Sequence, residues 1–466
     1  MKSVKDAISI LNEESELWLN YLDGQQTGKL PSKKITDHKH YNTFIRIFAY
    51  VRYIFRLISF SKKTDDSCEN NFLFFSSSLN QQRAIDEIFT HLVRLNKKTI
   101  CITTVNRLRE KQITRVTFSI SDALKALYLL IFRGPKLYRT LSKHPVLSPN
   151  RHFNLFIASH IYLIYFLRVL PKINPKMVLI SNDHNVPNRC LIAVSRYLGV
   201  RTAYVQHASV SEFFPALTVD YAFLDGQHSF DIYKTCVNNI SPYLKREFST
   251  EVYLTGQQKK LKFSKSRRQK SIGIAINKLD NLDSYISLII FLTRSGLSLI
   301  VRWHPNQSKS DVKKILELGE NNSCVKLSDP YQDNISDYLE KVSIIVAGDS
   351  GIHLEAALSG VYPVYYNESF DSKIKDYYGF VKSGLAYAVS DQKELLTLIN
   401  GIRNLKINKN SIQYYSDTFG TPLEGRESEL VAKLICKLTR YGFEDDIVVR
   451  NLASRKIVIA ESLSNE

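Results

Sequence analysis

The sequence predicts an α/β protein of two Rossmann-like domains facing across a cleft, with an N-terminal helical extension. Three observations carry this. The chain has 466 residues, more than one hydrophobic core ordinarily serves, so two domains of roughly 200 residues each are expected. Short apolar runs alternate with helix-like segments in two separate stretches, the pattern of parallel strands covered on both faces by crossover helices. Run after run, the apolar stretch stops on side chains that can bind or react.

In chain order, Phe72 to Phe75 reads as a buried strand that breaks into a polar loop at Ser76, Ser77 and Ser78. A helix-like AIDEIFTHLVRL and the strand KKTICITTV complete a βαβ unit. PKMVLISNDH is a strand ending on Asn182, Asp183 and His184, followed by a helix that Gly199 should stop. The next strand ends on Gln206 and His207, and VDYAFLDG ends on Asp225 and Gly226. After the charged break SKSRRQK the alternation restarts with SIGIAIN. Domains are therefore expected at 71–255 and 256–440, with an extension at 1–70 and a tail at 441–466. A hinge is expected between Gly256 and Lys270.

Composition narrows the class. With 44% hydrophobic residues the chain can bury a core, which excludes global disorder. Six cysteines without a CxxC pattern suggest neither a disulfide framework nor zinc. No signal peptide is apparent, so a cytoplasmic location is expected. The net charge of +18 is concentrated early, since residues 1–150 hold 24 lysines and arginines against 13 acids. Nucleic acid, an anionic membrane and an acidic polymer or nucleotide are the partners such charge allows. Residues 43–63, TFIRIFAYVRYIFRLISFSKK, interleave arginines with aromatics but lack the ~20 apolar residues of a membrane span. They fit an interfacial helix as well as an ordinary packed one. Residues 153–167 read as a buried core helix.

In the second stretch, SLIVRWHP delivers Arg302 and His304 to the carboxyl edge of its sheet, and Pro305 ends the strand. AGDSGIHLE places Gly348 and Gly351 around Asp349 and Ser350 where a helix begins. Small residues there let backbone N–H groups approach a phosphate at the positive helix end. Ser350 can equally cap the helix, and Glu355 can face a ribose or solvent.

These motifs, RxHP followed by SDPYQDNISDYL and IIVAGDSGIHLEAALSGVYPVYY, resemble the C-terminal half of bacterial GT-B glycosyltransferases. They are most similar to the polysialyltransferase-like and CDP-glycerol glycerophosphotransferase-like enzymes that build capsules, lipopolysaccharide and teichoic acids. The resemblance runs from about Asn71 to about Asn400. It implies that His304-Pro305, with Arg302, and Ser350 contact the donor phosphate. Gly348, Asp349, Gly351 and Glu355 complete that side. For the general base it offers Asp183, Asp225 or, by analogy with the CDP-glycerol enzymes, His207. Leu224-Asp225-Gly226 departs from the paired acids of sialyltransferases, which weakens a sialic acid donor. Ser77, Asn80, His184 and Gln206 fall on the acceptor side. The implied reaction is inverting, metal-independent transfer from a nucleotide sugar, with CMP as the favoured nucleotide, to a lipid-linked or polymeric glycan at the inner membrane face. A CDP-glycerol or ribitol-type transferase, a UDP-sugar 2-epimerase and a noncatalytic polyanion- or nucleic-acid-binding protein are the alternatives. No cofactor and no specific nucleic acid partner are expected.

Overall fold

The structure is a computed structural model that describes residues 2–19, 48, 71–105, 113–142, 149–237, 250–258, 261, 271–278, 280–366, 376–439, 448–452 and 455–459. Of the predicted interfacial segment 43–63, all but Phe48 lies outside the described residues, as does the charged break at 264–270. The chain divides into two units. The first comprises Met1–His207, Glu212–Gln258 and Arg426–Glu466, and the second Ala208–Ser211 and Lys259–Gly425.

The first unit opens with α1 (Lys2–Glu14) and α2 (Glu16–Leu19). Next come β1 (Phe72–Ser76), α3 (Leu79–Arg94), β2 (Thr99–Thr103), β3 (Ile113–Arg115), α4 (Ile120–Ser142) and α5 (Pro149–Ile173). The unit continues through β4 (Met177–Ile180), α6 (Val186–Tyr197), β5 (Arg201–Val205), β6 (Tyr221–Leu224), α7 (Gln227–Cys236) and β7 (Glu251–Leu254). Its seven strands are all parallel in the order β3-β2-β1-β4-β5-β6-β7. Every residue of β1 and β4 is buried, which is why these strands read as unbroken apolar runs. The predicted core helix at 153–167 is part of α5, whose side chains from Ala158 to Leu167 are buried.

The second unit runs β8 (Ser271–Ile276), α8 (Leu282–Arg294), β9 (Leu299–Trp303), α9 (Lys309–Glu320), β10 (Val325–Ser328), α10 (Ile335–Glu340) and β11 (Val342–Ala347). It closes with α11 (Ile352–Leu358), β12 (Tyr362–Tyr366), β13 (Tyr387–Val389), α12 (Gln392–Asn400) and α13 (Lys409–Tyr415). Its six parallel strands take the order β10-β9-β8-β11-β12-β13. One face of that sheet buries Ile274, Val301, Ile344 and Val346 with Leu288 and Leu292 of α8. The other buries Ile345 and Ala347 with Tyr338 of α10 and Ile352 of α11.

Two boundaries differ from the sequence reading. Residues 2–19 are not a separate extension, because Ala7, Ile10 and Leu11 are buried where α1 meets α5 and α6. At the other end the second unit closes at Gly425 instead of near 440. The chain then returns to the first unit as α14 (Glu427–Leu438), which lies along α3 with Leu430, Val431, Leu434 and Ile435 buried. The residual tail also has structure, an antiparallel ribbon of β14 (Val448–Leu452) and β15 (Arg455–Ile459).

The helix stop read from Gly199 holds, and Gly360 makes a second. Gly199 and Gly360 follow α6 and α11 with φ of +72° and +75°, a region that costs other L-residues ~1–2 kcal/mol. A Cβ on Gly199 meets nothing within 4 Å, so Gly199→Ala isolates the backbone term. It should lower stability by about 1 kcal/mol, measured as the shift in denaturation midpoint.

Candidate functional site

In each sheet the strand order reverses once, between β1 and β4 in the first unit and between β8 and β11 in the second. Crossovers depart to opposite faces there, leaving a crevice at the strands' carboxyl ends where open α/β sheets bind ligands.

In the second unit, the residues after β8 and β11 are tied together across this point. Asn277 Nδ2 donates to the Asp349 carbonyl at 2.7 Å. The buried Asp280 carboxylate accepts the Asn277 N–H at 2.7 Å, and a Cβ on Gly348 would lie 2.7 Å from its Oδ1. Gly348 is therefore required by a protein carboxylate packed against it, a reason the sequence does not show. The Asp349 carboxylate is also committed, accepting from the Tyr377 N–H at 2.7 Å and the Tyr365 hydroxyl at 3.2 Å.

Ser350 does not cap α11. The helix starts from Gly351 without a side-chain cap, and Ser350 Oγ accepts only a long 3.4 Å bond from the Ile352 N–H. Its hydroxyl stays half-exposed at the helix start. The helix is short and held from below by His353. That imidazole is wholly buried and pushed down to about 4 by its burial, so it is neutral and donates Nε2–H to the Gly348 carbonyl at 2.9 Å. Sequence reasoning missed His353, although its place at the end of GDSGIH was visible. Glu355 is buried, 8% exposed, which removes the solvated face from its two readings, and its charge acts on Arg302.

Arg302 leaves β9 with two of its five donors directed inward, to Ser328 Oγ at 2.8 Å and the Asp333 carbonyl at 3.0 Å. Its guanidinium also lies 5.5 Å from the Tyr338 ring centroid. Burial lowers its pKa, yet an arginine stays charged. His304 Nδ1 accepts the Asn306 N–H at 3.0 Å, which places the neutral ring's proton on Nε2. Burial and then the charge of Lys278 hold its pKa below the usual histidine value. The Tyr331 hydroxyl donates to the Pro305 carbonyl and fixes the turn.

In the first unit, Asp183 and His184 are in direct contact, His184 Nδ1 lying 2.8 Å from Asp183 Oδ1. The carboxylate is buried and the imidazole is partly exposed at 14%. Burial pushes the Asp183 carboxyl up, but the contact with His184 and the charge of Arg189 outweigh it and the net shift is downward. Arg189 also donates Nε–H to the Asp183 carbonyl at 3.0 Å. Asp183 does not cap α6; Asn185 does, accepting from the Asn188 N–H at 3.0 Å. Asn185 also donates to Ser77 Oγ at 2.6 Å, which closes the loops after β1 and β4 on each other. Asn80 is exposed in the first turn of α3. Gln206 is buried and accepts the Asp225 N–H at 3.0 Å, so the ends of β5 and β6 are joined. Asp225 is itself buried. His207 is half-buried as the last residue before Ala208–Ser211, which belong to the second unit. There Ser209 Oγ would lie 3.4 Å from a Cβ on Gly351.

No family model matches this chain, and no curated protein matches it. Solved structures do. A UDP-N-acetylglucosamine 2-epimerase from Listeria monocytogenes superposes with a TM-score of 0.50 at 11% identity, covering 81% of this chain and 98% of its own. The S. aureus MnaA structure with UDP gives 0.50 at 12% identity, covering 80% and 98%. The fold is GT-B. At these identities the likeness is one of fold, and it agrees with two parallel Rossmann-like sheets of the order seen here.

The depressed Asp183 pKa makes a signed prediction. A carboxylate whose folded pKa lies below its unfolded value stabilises the protein above the unfolded value of ~3.9 and loses that contribution as pH falls through the folded one. Asp183→Asn should therefore melt below wild type at neutral pH. The gap should close as pH drops below ~4, measured by thermal denaturation across pH.

Proposed function

We propose that this chain is an inverting glycosyltransferase using a nucleotide-activated sugar, of the polysialyltransferase-like or CDP-glycerol transferase-like group, that builds a bacterial surface glycan. The observation that carries this is the convergence at the second unit's switch point. Arg302, the Nε2–H donor of His304, the half-exposed Ser350 and the amides that open α11 come from the carboxyl ends of β9 and β11, the strands on either side of β8, and suit an anionic diphosphate or monophosphate.

In this reading Arg302 and His304 stabilise the charge that develops on the departing nucleotide phosphate. Glu355 and Asp280 sit among them as buried acids and hold the cations and loops in place. The acceptor hydroxyl gives its proton to His184 as its oxygen attacks the anomeric carbon, while the bond from that carbon to the phosphate oxygen breaks. Asp183 holds the His184 ring and stabilises its charged form, a positioning role that its burial suits better than that of base. The absence of a DxD-like motif in the sequence supports a reaction without metal. The acceptor is a lipid-linked or polymeric glycan.

The UDP-sugar 2-epimerase reading is the second, since both solved structures named above carry that activity or UDP in their descriptions. An epimerase converts its sugar without an acceptor, so acceptor-dependent release of nucleotide separates the two.

CMP, CDP, UDP and GDP should be screened by thermal stabilisation. A bound nucleotide at 100 times its Kd should add about 2.7 kcal/mol, and His304→Ala should abolish the shift; no stabilisation by any of the four sinks the proposal. His184→Gln should keep the nucleotide shift while lowering kcat by roughly 10²–10⁴. EDTA should leave turnover unchanged.

A further inference from the structure

α4 is apolar on two faces. Ala126, Leu129 and Leu137 are buried where the helix meets α1, α2 and α5. On another side Ile120, Leu124, Leu127, Tyr128, Ile131 and Phe132 are 59%, 62%, 46%, 46%, 64% and 62% exposed. At 3.6 residues per turn these six fall within one arc of about 140°. The Tyr128 and Phe132 rings meet at 4.4 Å within it. A contiguous exposed apolar surface of this kind marks an interaction site on a folded protein, not a random surface.

The charge beside the arc selects its occupant. Lys125, Lys136 and Arg139 lie along one edge of it, the last two exposed. The helix has one acid, Asp122, which is buried and bonded to Arg168 at 2.9 Å, so it does not offset the cations. Arg133 is turned away to Glu16 at 2.7 Å. Large apolar and aromatic side chains edged on one side by cations, with no exposed acid on the helix, match the boundary of an anionic bilayer, where apolar groups sink to the acyl chains and the cations meet headgroup phosphates. No described helix is long and apolar enough to cross a membrane, so the contact is peripheral. A protein partner would need acids opposite these cations and an apolar groove of its own, whereas a lipid surface supplies both.

We propose that the exposed face of α4 docks the full-length protein on anionic phospholipid. This stands apart from the nucleotide-site reading and is tested without nucleotide. The purified chain is floated with vesicles of phosphatidylcholine alone and with about 30% phosphatidylglycerol, at ~0.15 M and ~1 M salt. The wild type should float with the anionic vesicles and release at high salt. Ile131→Glu combined with Phe132→Glu should cut partitioning by roughly ten-fold or more, with an unchanged melting temperature because both side chains are exposed. Lys136→Glu with Arg139→Glu should lose anionic binding selectively. Flotation that the α4 variants leave unchanged overturns the proposal, and so does flotation lost only on Arg52→Glu with Arg56→Glu, which would put the contact at residues 43–63. A wild type that self-associates in vesicle-free buffer and becomes monomeric with Ile131→Glu and Phe132→Glu assigns the face to a second copy and also overturns it.

Discussion

The second unit depends on one hydrogen bond, from Asn277 Nδ2 to the Asp349 carbonyl. Reversal of strand order at β8 and β11 sends the two following connections to opposite faces, so nothing in the sheet ladder holds their first residues together. This bond does, with the Asp280 carboxylate packed beneath the bare Cα of Gly348. From that point order passes along the chain. The Asp349 side chain receives Tyr365 and the Tyr377 N–H, and Tyr365 Oη in turn accepts the Asp376 N–H at 2.7 Å. Asp376, at a φ of +53°, then takes the Val381 and Lys382 N–H groups at 3.0 and 2.8 Å. A chain of carboxylates and one tyrosine fixes the loop that presents Ser350.

The strand ends were legible because burial on both faces makes each strand an unbroken apolar run, and a run that stops on Arg302 or Asp183 announces its own end. What lay outside the pattern was not. The positions of Gly348 and Gly351 were visible, but the reason for Gly348 is a contact with Asp280, nearly seventy positions earlier in the chain. No local signal reports that. The sequence also offered Ser350 as a cap, because Ser-Gly before a helix usually is one; the helix instead begins a residue later and leaves the hydroxyl for other use. α4 escaped altogether, since apolar residues on two faces blur the 3.6-residue period and Pro135 interrupts it. The return of α14 to the first unit is a tertiary fact that its amphipathic sequence cannot address to a particular partner.

Adjacent residues in sequence proved more informative in space than either did alone. Asp183 and His184 compete as acids and bases when considered singly. Their 2.8 Å contact and unequal exposure set them apart: the buried carboxylate is kept ionised by His184 and the charge of Arg189, and the imidazole is the partly exposed member of the pair. Burial alone would have raised the carboxyl's pKa and neutralised it. The contact with His184 and the charge of Arg189 prevent this, so the carboxylate stays ionised and can hold an imidazolium.

Both units share one strand order about the switch point, yet the loops there are tied differently. In the first, the loops are knitted to each other by side chains: Asn185 to Ser77, Ser77 to Gln81 Oε1 at 2.8 Å, and Ser181 to the Gln81 carbonyl at 3.1 Å. Amides there spend their hydrogen bonds on the protein. In the second, the ties run beneath the loop through Asn277, Asp280 and His353, and the outward groups, Ser350 and His304, retain donors. Topology supplies a crevice in each case, but where the internal hydrogen bonds are spent decides which groups at its rim keep a donor. The neutral state of His353 is essential to that arrangement, since burial disfavours a charged imidazole under the loop more than the Asp376 carboxylate favours it.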